Sequence, residues 1–174
     1  MENQKATSKS IILNYGLYMG IVSVLMSLVV YATGNALQPH WSVSVLGFVF
    51  MIVFIVLAIK KYKEGNGGFI SWGQAVKLGV GAVMISALIG VVYQQIFVNF
   101  IEPGFMDQVM ALQYQDMVDK GMTSDQIDTA KGMAEKFSGP AISSAIALIA
   151  AAFIGFVVSA IVGAIMKQSE EEQY

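Results

Sequence analysis

Ala141–Met166 reads AISSAIALIAAAFIGFVVSAIVGAIM, 26 residues without a charge. At about 1.5 Å of rise per residue a helix of that length reaches roughly 39 Å, more than the ~30 Å hydrocarbon core of a bilayer requires. From Ala147 on, every fourth residue is small: Ala147, Ala151, Gly155, Ser159 and Gly163. In lipid no hydrophobic effect drives helices together, so association rests on close backbone approach, which small side chains permit. The stretch is read as a membrane-spanning helix and as the post against which the others pack.

Working outward, three more segments have the same character. Residues 10–33 are apolar for about 24 residues, longer than the roughly 7–15-residue core of a cleavable signal, and are read as a first span. Val43–Ile59 is an uncharged run of 17 residues between Trp41 and Lys60, Lys61 and Lys63. Trp41 at the headgroups and snorkelling lysines extend it to a second span over 42–60. Leu78–Ile101 is uncharged for 24 residues, and Trp72 begins the third span, 72–101. The last span is 141–166. Small residues recur in the others too: Gly16 and Gly20 in the first, and Ala82, Ser86 and Gly90 in the third. Gly16 and Gly20 are expected to meet the seam of the last helix.

The segment 104–138 carries too many charges to cross a membrane. Pro103-Gly104 ends the third span, because proline cannot continue the hydrogen-bonding ladder. Two short helices then follow, the second opened by Thr123-x-x-Gln126, which matches a capping box. They are expected to lie along the outer edge of the bundle as an amphipathic insert. The tail 168–174 is acidic and expected to be disordered. The expectation is therefore all-α: one integral membrane domain, 1–174, forming a four-transmembrane-helix bundle with an amphipathic helical insert between helices three and four.

Composition agrees. Hydrophobic residues make up 56% of the 174, charged residues only 13%, and the mean hydropathy is +0.64, far from soluble-domain values. The net charge of −2, with ten lysines and no arginine, argues against nucleic acid, since neutralising phosphates needs a basic surface. Lys5, Lys9, Lys60, Lys61, Lys63, Lys77 and Lys167 fall at the termini and the loop between helices two and three. Only Lys120, Lys131 and Lys136 fall on the opposite side. By the positive-inside rule both termini are expected in the cytoplasm of a bacterium, with the insert in the periplasm.

Helix three carries the main resemblance to a known family. Its entry, Phe69-Ile70-Ser71-Trp72-Gly73-Gln74-Ala75-Val76-Lys77-Leu78-Gly79, and its exit, Tyr93 to Phe105 (YQQIFVNFIEPGF), resemble the domain of unknown function 4199 family. The family's entry pattern is Ser-Phe-Gly-Gln/Glu-Ala-Phe-Lys, so Trp72 and Val76 stand where it has phenylalanine, and Glu102 stands where a shorter polar residue is usual. The resemblance implies four membrane helices and a bacterial inner membrane. It implies no catalytic residue.

Gln95, Asn99 and Glu102 fall at i, i+4 and i+7, which on a regular α-helix is one face; Lys77, eighteen residues before Gln95, points the same way. This polar stripe either lines the mouths of a solute path or merely snorkels at both ends. The cap is acidic, with seven carboxylates from Glu102 to Glu135 against three lysines. Asp125 and Asp128 lack the closed oxygen-rich loop of a calcium site and are read as a solvated face. Met106, Met110 and Met117 suggest soft-metal ligands, but without His or Cys support they are read as adaptable packing surface. The absence of cysteine excludes thiolate chemistry, and the single histidine, His40, supports no triad. No hydrolase, P-loop or metalloprotease motif appears. The expected function is a non-catalytic packing or interaction module without metal or cofactor. Its partners are the lipid bilayer and either another copy or a different membrane protein; the alternative is a small transporter or channel subunit using the polar face of helix three.

Overall fold

The computed structural model describes residues 7–168. Four long helices are apolar enough to cross a membrane: α1 (Ser8–Ala32), α2 (Trp41–Gly65), α3 (Trp72–Ile96) and α6 (Pro140–Met166). A five-residue π-helical segment, Phe97–Ile101, extends α3 to a 30-residue span, Trp72–Ile101. Between that span and α6 lie α4 (Phe105–Asp119) and α5 (Ser124–Phe137). The protein is an all-α, multi-pass membrane protein.

Local chemistry sets the helix starts. Unpaired N–H groups in the first turn need acceptors, and Thr7, His40 and Ser71 each supply one from the side chain at the head of α1, α2 and α3. Ser71 and Gln74 form a full capping box, as do Thr123 and Gln126 at the start of α5. Pro140 occupies the first position of α6, where its missing N–H costs nothing.

The hub of the bundle is α3, not α6. Its contacts with α1 on one side and α6 on the other are the two most extensive in the fold, while α2 packs more lightly. The expectation of a post in the last helix is corrected for a simple reason: α6 shares its small seam with α3 alone, whereas α3 presents small residues to two neighbours. The core is also one-sided. Ile11 and Met19, Ile55, Ala58 and Ile59, Ile70, Ala75, Leu78, Ala82 and Val83, and Val158 and Val162 all cluster toward the end that holds the α2–α3 turn. At the opposite end, among the described residues, Phe97 alone of the large apolar side chains is buried. Leu25, Val29, Phe48, Phe153 and Ile161 are exposed, as a surface facing lipid tails requires.

The end of α6 is tied down. Ile70 and Gln168 exchange backbone hydrogen bonds of 3.0 Å each, and Lys63 Nζ donates to the Met166 carbonyl at 3.3 Å and to Gln168 Oε1 at 3.0 Å. The tail expected to loosen from 168 therefore starts with a paired residue; 169–174, like Lys5, lie outside the described residues. At the other end, α4 and α5 bury no residue and pack on each other. Lys131 lies 4.9 Å over the Tyr114 ring between them. Their links to the bundle include the Phe97–Phe105 edge-to-face pair, centroids 5.1 Å apart, and a Gln108–Glu102 hydrogen bond of 3.3 Å.

Candidate functional site

The small residues show where the backbones touch. An added Cβ on Gly16 would lie 2.6 Å from Ile85 Cβ and 2.8 Å from the Ala82 carbonyl, and one on Gly20 would meet Ile89. Both glycines thus face α3, where contact with the seam of α6 was expected; four-residue spacing reports that a backbone can come close, not which one. On the other side of α3, Gly155 abuts Val83, Gly163 abuts Ala75, and Gly79 abuts Ser159. Ala82, whose carbonyl meets Gly16, is buried, as are Ser86 and Ser159, and Ala151 is half-buried against the core. Gly79, and Gly81, which receives Ile12, are close-approach positions that the small-residue spacing read from the sequence did not include. The available signal was Ala75-x-x-x-Gly79, a small pair one turn before Ala82.

Toward the π-helical end of α3 the α3–α6 seam opens. A Cβ on Gly90 would meet nothing within 4 Å, and Ala147 is exposed. Between the two helices lies a cleft of about 520 Å³ whose walls include Ala87, Gly90, Ala147, Gln94, Gln95, Asn99 and Ser144. No charged side chain lines it. Its polar groups are amides and hydroxyls, several already engaged: Ser143 and Ser144 donate to the Pro140 carbonyl at 3.2 and 2.6 Å, and Gln95 Nε2 reaches Ser144 Oγ at 3.5 Å.

The polar stripe is split. In the π-helical segment the Glu102 N–H bonds the Phe97 carbonyl five residues back, at 2.8 Å, so one extra residue enters the turn and the phase of everything beyond shifts. Gln95 therefore faces α6, while Glu102 faces α1 and accepts a hydrogen bond from Tyr31 at 2.9 Å. Asn99 folds onto its own backbone, its amide donating to the Gln95 carbonyl at 2.7 Å where the ladder widens. Lys77 is exposed at the far end of α3. The expected single face of Gln95, Asn99 and Glu102 is thus corrected, because the spacing rule holds only on an uninterrupted α-helix. Around Glu102, Phe97 stacks edge-on with Tyr31 at 5.0 Å and with Phe105, which fixes the exit of α3.

Among the described residues no three His, Cys, Asp or Glu side chains converge as a metal site would need. Asp125 and Asp128 are exposed on α5; Met110 and Met117 are half-buried, and Met106 lines the cleft.

No curated protein and no solved structure matches the chain. A family model does match, over residues 14–168, from the first span through the paired end of α6. With nearly the whole bundle inside that match, the chain belongs to the family described as Protein of unknown function (DUF4199).

Proposed function

We propose that the chain is a non-catalytic module of the bacterial inner membrane that receives a transmembrane partner, another copy or a different membrane protein, in the outer α3–α6 cleft. One observation carries this reading. Gly16, Gly20, Gly79, Gly155 and Gly163 are consumed by contacts within the chain, whereas Gly90 and Ala147 front unfilled space. Small residues left open in a membrane helix are where a second backbone can come close. Both termini are assigned to the cytoplasm: the Lys60–Lys63 turn and the end of α6 lie together, and the first loop has no lysine.

Photo-crosslinking in native membranes tests it. A photoreactive residue at position 147 is expected to yield a discrete adduct, and one at Ile161, on the exposed face, is expected to yield none. Adducts at neither position, or equally at both, would remove the cleft as an interface.

The transport alternative draws on the same amides. Inward of Ala87 and Ala147, however, α3 and α6 close on Val83, Ser86, Gly155 and Ser159, which favours a sealed monomer. Saturable solute flux in reconstituted vesicles, lost in Glu102→Ala or Lys77→Ala, would reverse the preference.

A further inference from the structure

At the end of the bundle opposite the cleft, the α2–α3 turn and the end of α6 border an open surface cavity of about 390 Å³ lined by Lys60, Lys63, Glu64, Gly67, Gly68 and Met166. Its charge balance is uneven. Glu64, the one carboxylate in the lining, is paired with Lys61 at 3.0 Å. Lys63 bonds two acceptors without formal charge, the Met166 carbonyl and Gln168 Oε1. A lysine ammonium has three donors, so Lys63 retains its charge and one N–H. Lys60 is exposed and makes no ion pair among the described residues.

Shape and depth narrow the ligand. Gly67 and Gly68, at φ +65° and +93°, bring backbone without side chains to the cavity wall. The cavity sits where two apolar spans, Trp41–Gly65 and Pro140–Met166, end, which is the level of lipid headgroups. Leu57, one helical turn before Lys60, and Ile165, next to Met166, are exposed apolar side chains on the same two spans. We propose that this cavity binds the headgroup phosphate of an anionic phospholipid, with Lys60 and Lys63 as the charged contacts. Two ammonium groups with no carboxylate partner among the described residues favour a net negative headgroup over a zwitterionic one, because a lysine near a membrane surface gains its attraction from net anionic charge.

The full chain, purified in detergent and stripped of lipid, can be titrated with phosphatidylglycerol and with phosphatidylcholine and the bound lipid read by native mass spectrometry. Wild type is expected to prefer phosphatidylglycerol, and Lys60→Gln to weaken that binding about fivefold while leaving phosphatidylcholine unchanged. Lys60→Arg is expected to restore it, and Glu64→Gln to strengthen it. Lys77→Gln removes the same charge from the same end without touching the cavity and is expected to change little. Equal losses in Lys60→Gln and Lys77→Gln would replace the site with diffuse attraction, and no lipid preference in wild type would overturn it outright. Displacement of the lipid by millimolar inorganic phosphate would make the cavity a soluble-anion site and overturn the assignment to lipid.

Discussion

Gly79 and Ser159 show how narrow the tolerance of the bundle is. Ser159 is fully buried, its hydroxyl has no partner among the described residues, and it lies where a side chain on Gly79 would have to go. Gly79→Ala is expected to lower unfolding stability in detergent by about 1–3 kcal/mol, the usual range for overpacking. Ser159→Gly opens the space that the new methyl needs, so the double variant should lose clearly less than the two single losses added together. Additive losses would mean that the two helices do not meet at this pair. Gly90 is the contrasting case. With nothing within 4 Å of its Cβ direction, Gly90→Ala is expected to leave melting unchanged or raise stability by up to ~1 kcal/mol, as alanine suits a helix interior better. A marked loss of stability would show that Gly90 is already packed against something.

Among the elements, the π-helical segment does most to shape the candidate site, and it is the one the residue pattern does not announce. Phe97–Ile101 is as apolar and helix-compatible as what precedes it, so no residue type marks the extra position. Spans, caps and turns were legible where each rests on local chemistry: uncharged length, Thr123 with Gln126, Pro103 with Gly104. The direction in which Glu102 points rests on a non-local preference, the Tyr31 hydroxyl and ring of α1 against Glu102 and Phe97, and was not legible. The same limit explains why the glycines of α1 were matched to the wrong partner. If the extra residue aims Glu102, then Tyr31→Phe and Glu102→Gln should be coupled by about 1 kcal/mol in a double-mutant cycle of unfolding. Deleting Val98, which restores regular α-helical phase, should abolish that coupling. A coupling that survived the deletion would show that the π-helical turn does not position the carboxylate.

Taken as a whole, the molecule divides into a closed half and an open half. Interdigitated glycines, the Ile70–Gln168 bridge and the buried apolar cluster hold the closed half, whose cavity of about 390 Å³ lies at its surface by the α2–α3 turn, while in the open half cavities of about 520 Å³ and about 330 Å³ reach between α3 and α6 and among α1, α2 and α3. The α4–α5 hairpin rises from the open half and buries no residue, so it contributes little to the free energy that holds the four spans together. Replacing residues 109–136 with about 12 Gly/Ser residues, whose r.m.s. reach is roughly 19 Å, retains Met106, Gln108 and Ser138 at the cleft and its exit. The shortened chain is expected to purify from detergent as a single species and melt within a few degrees of wild type. Where the hairpin helps to hold the partner, the crosslink at position 147 should weaken while the fold persists. Aggregation, or melting lowered by tens of degrees, would instead show that the bundle needs the hairpin to stay closed, and the open half would then have to be read as a site that the hairpin itself covers.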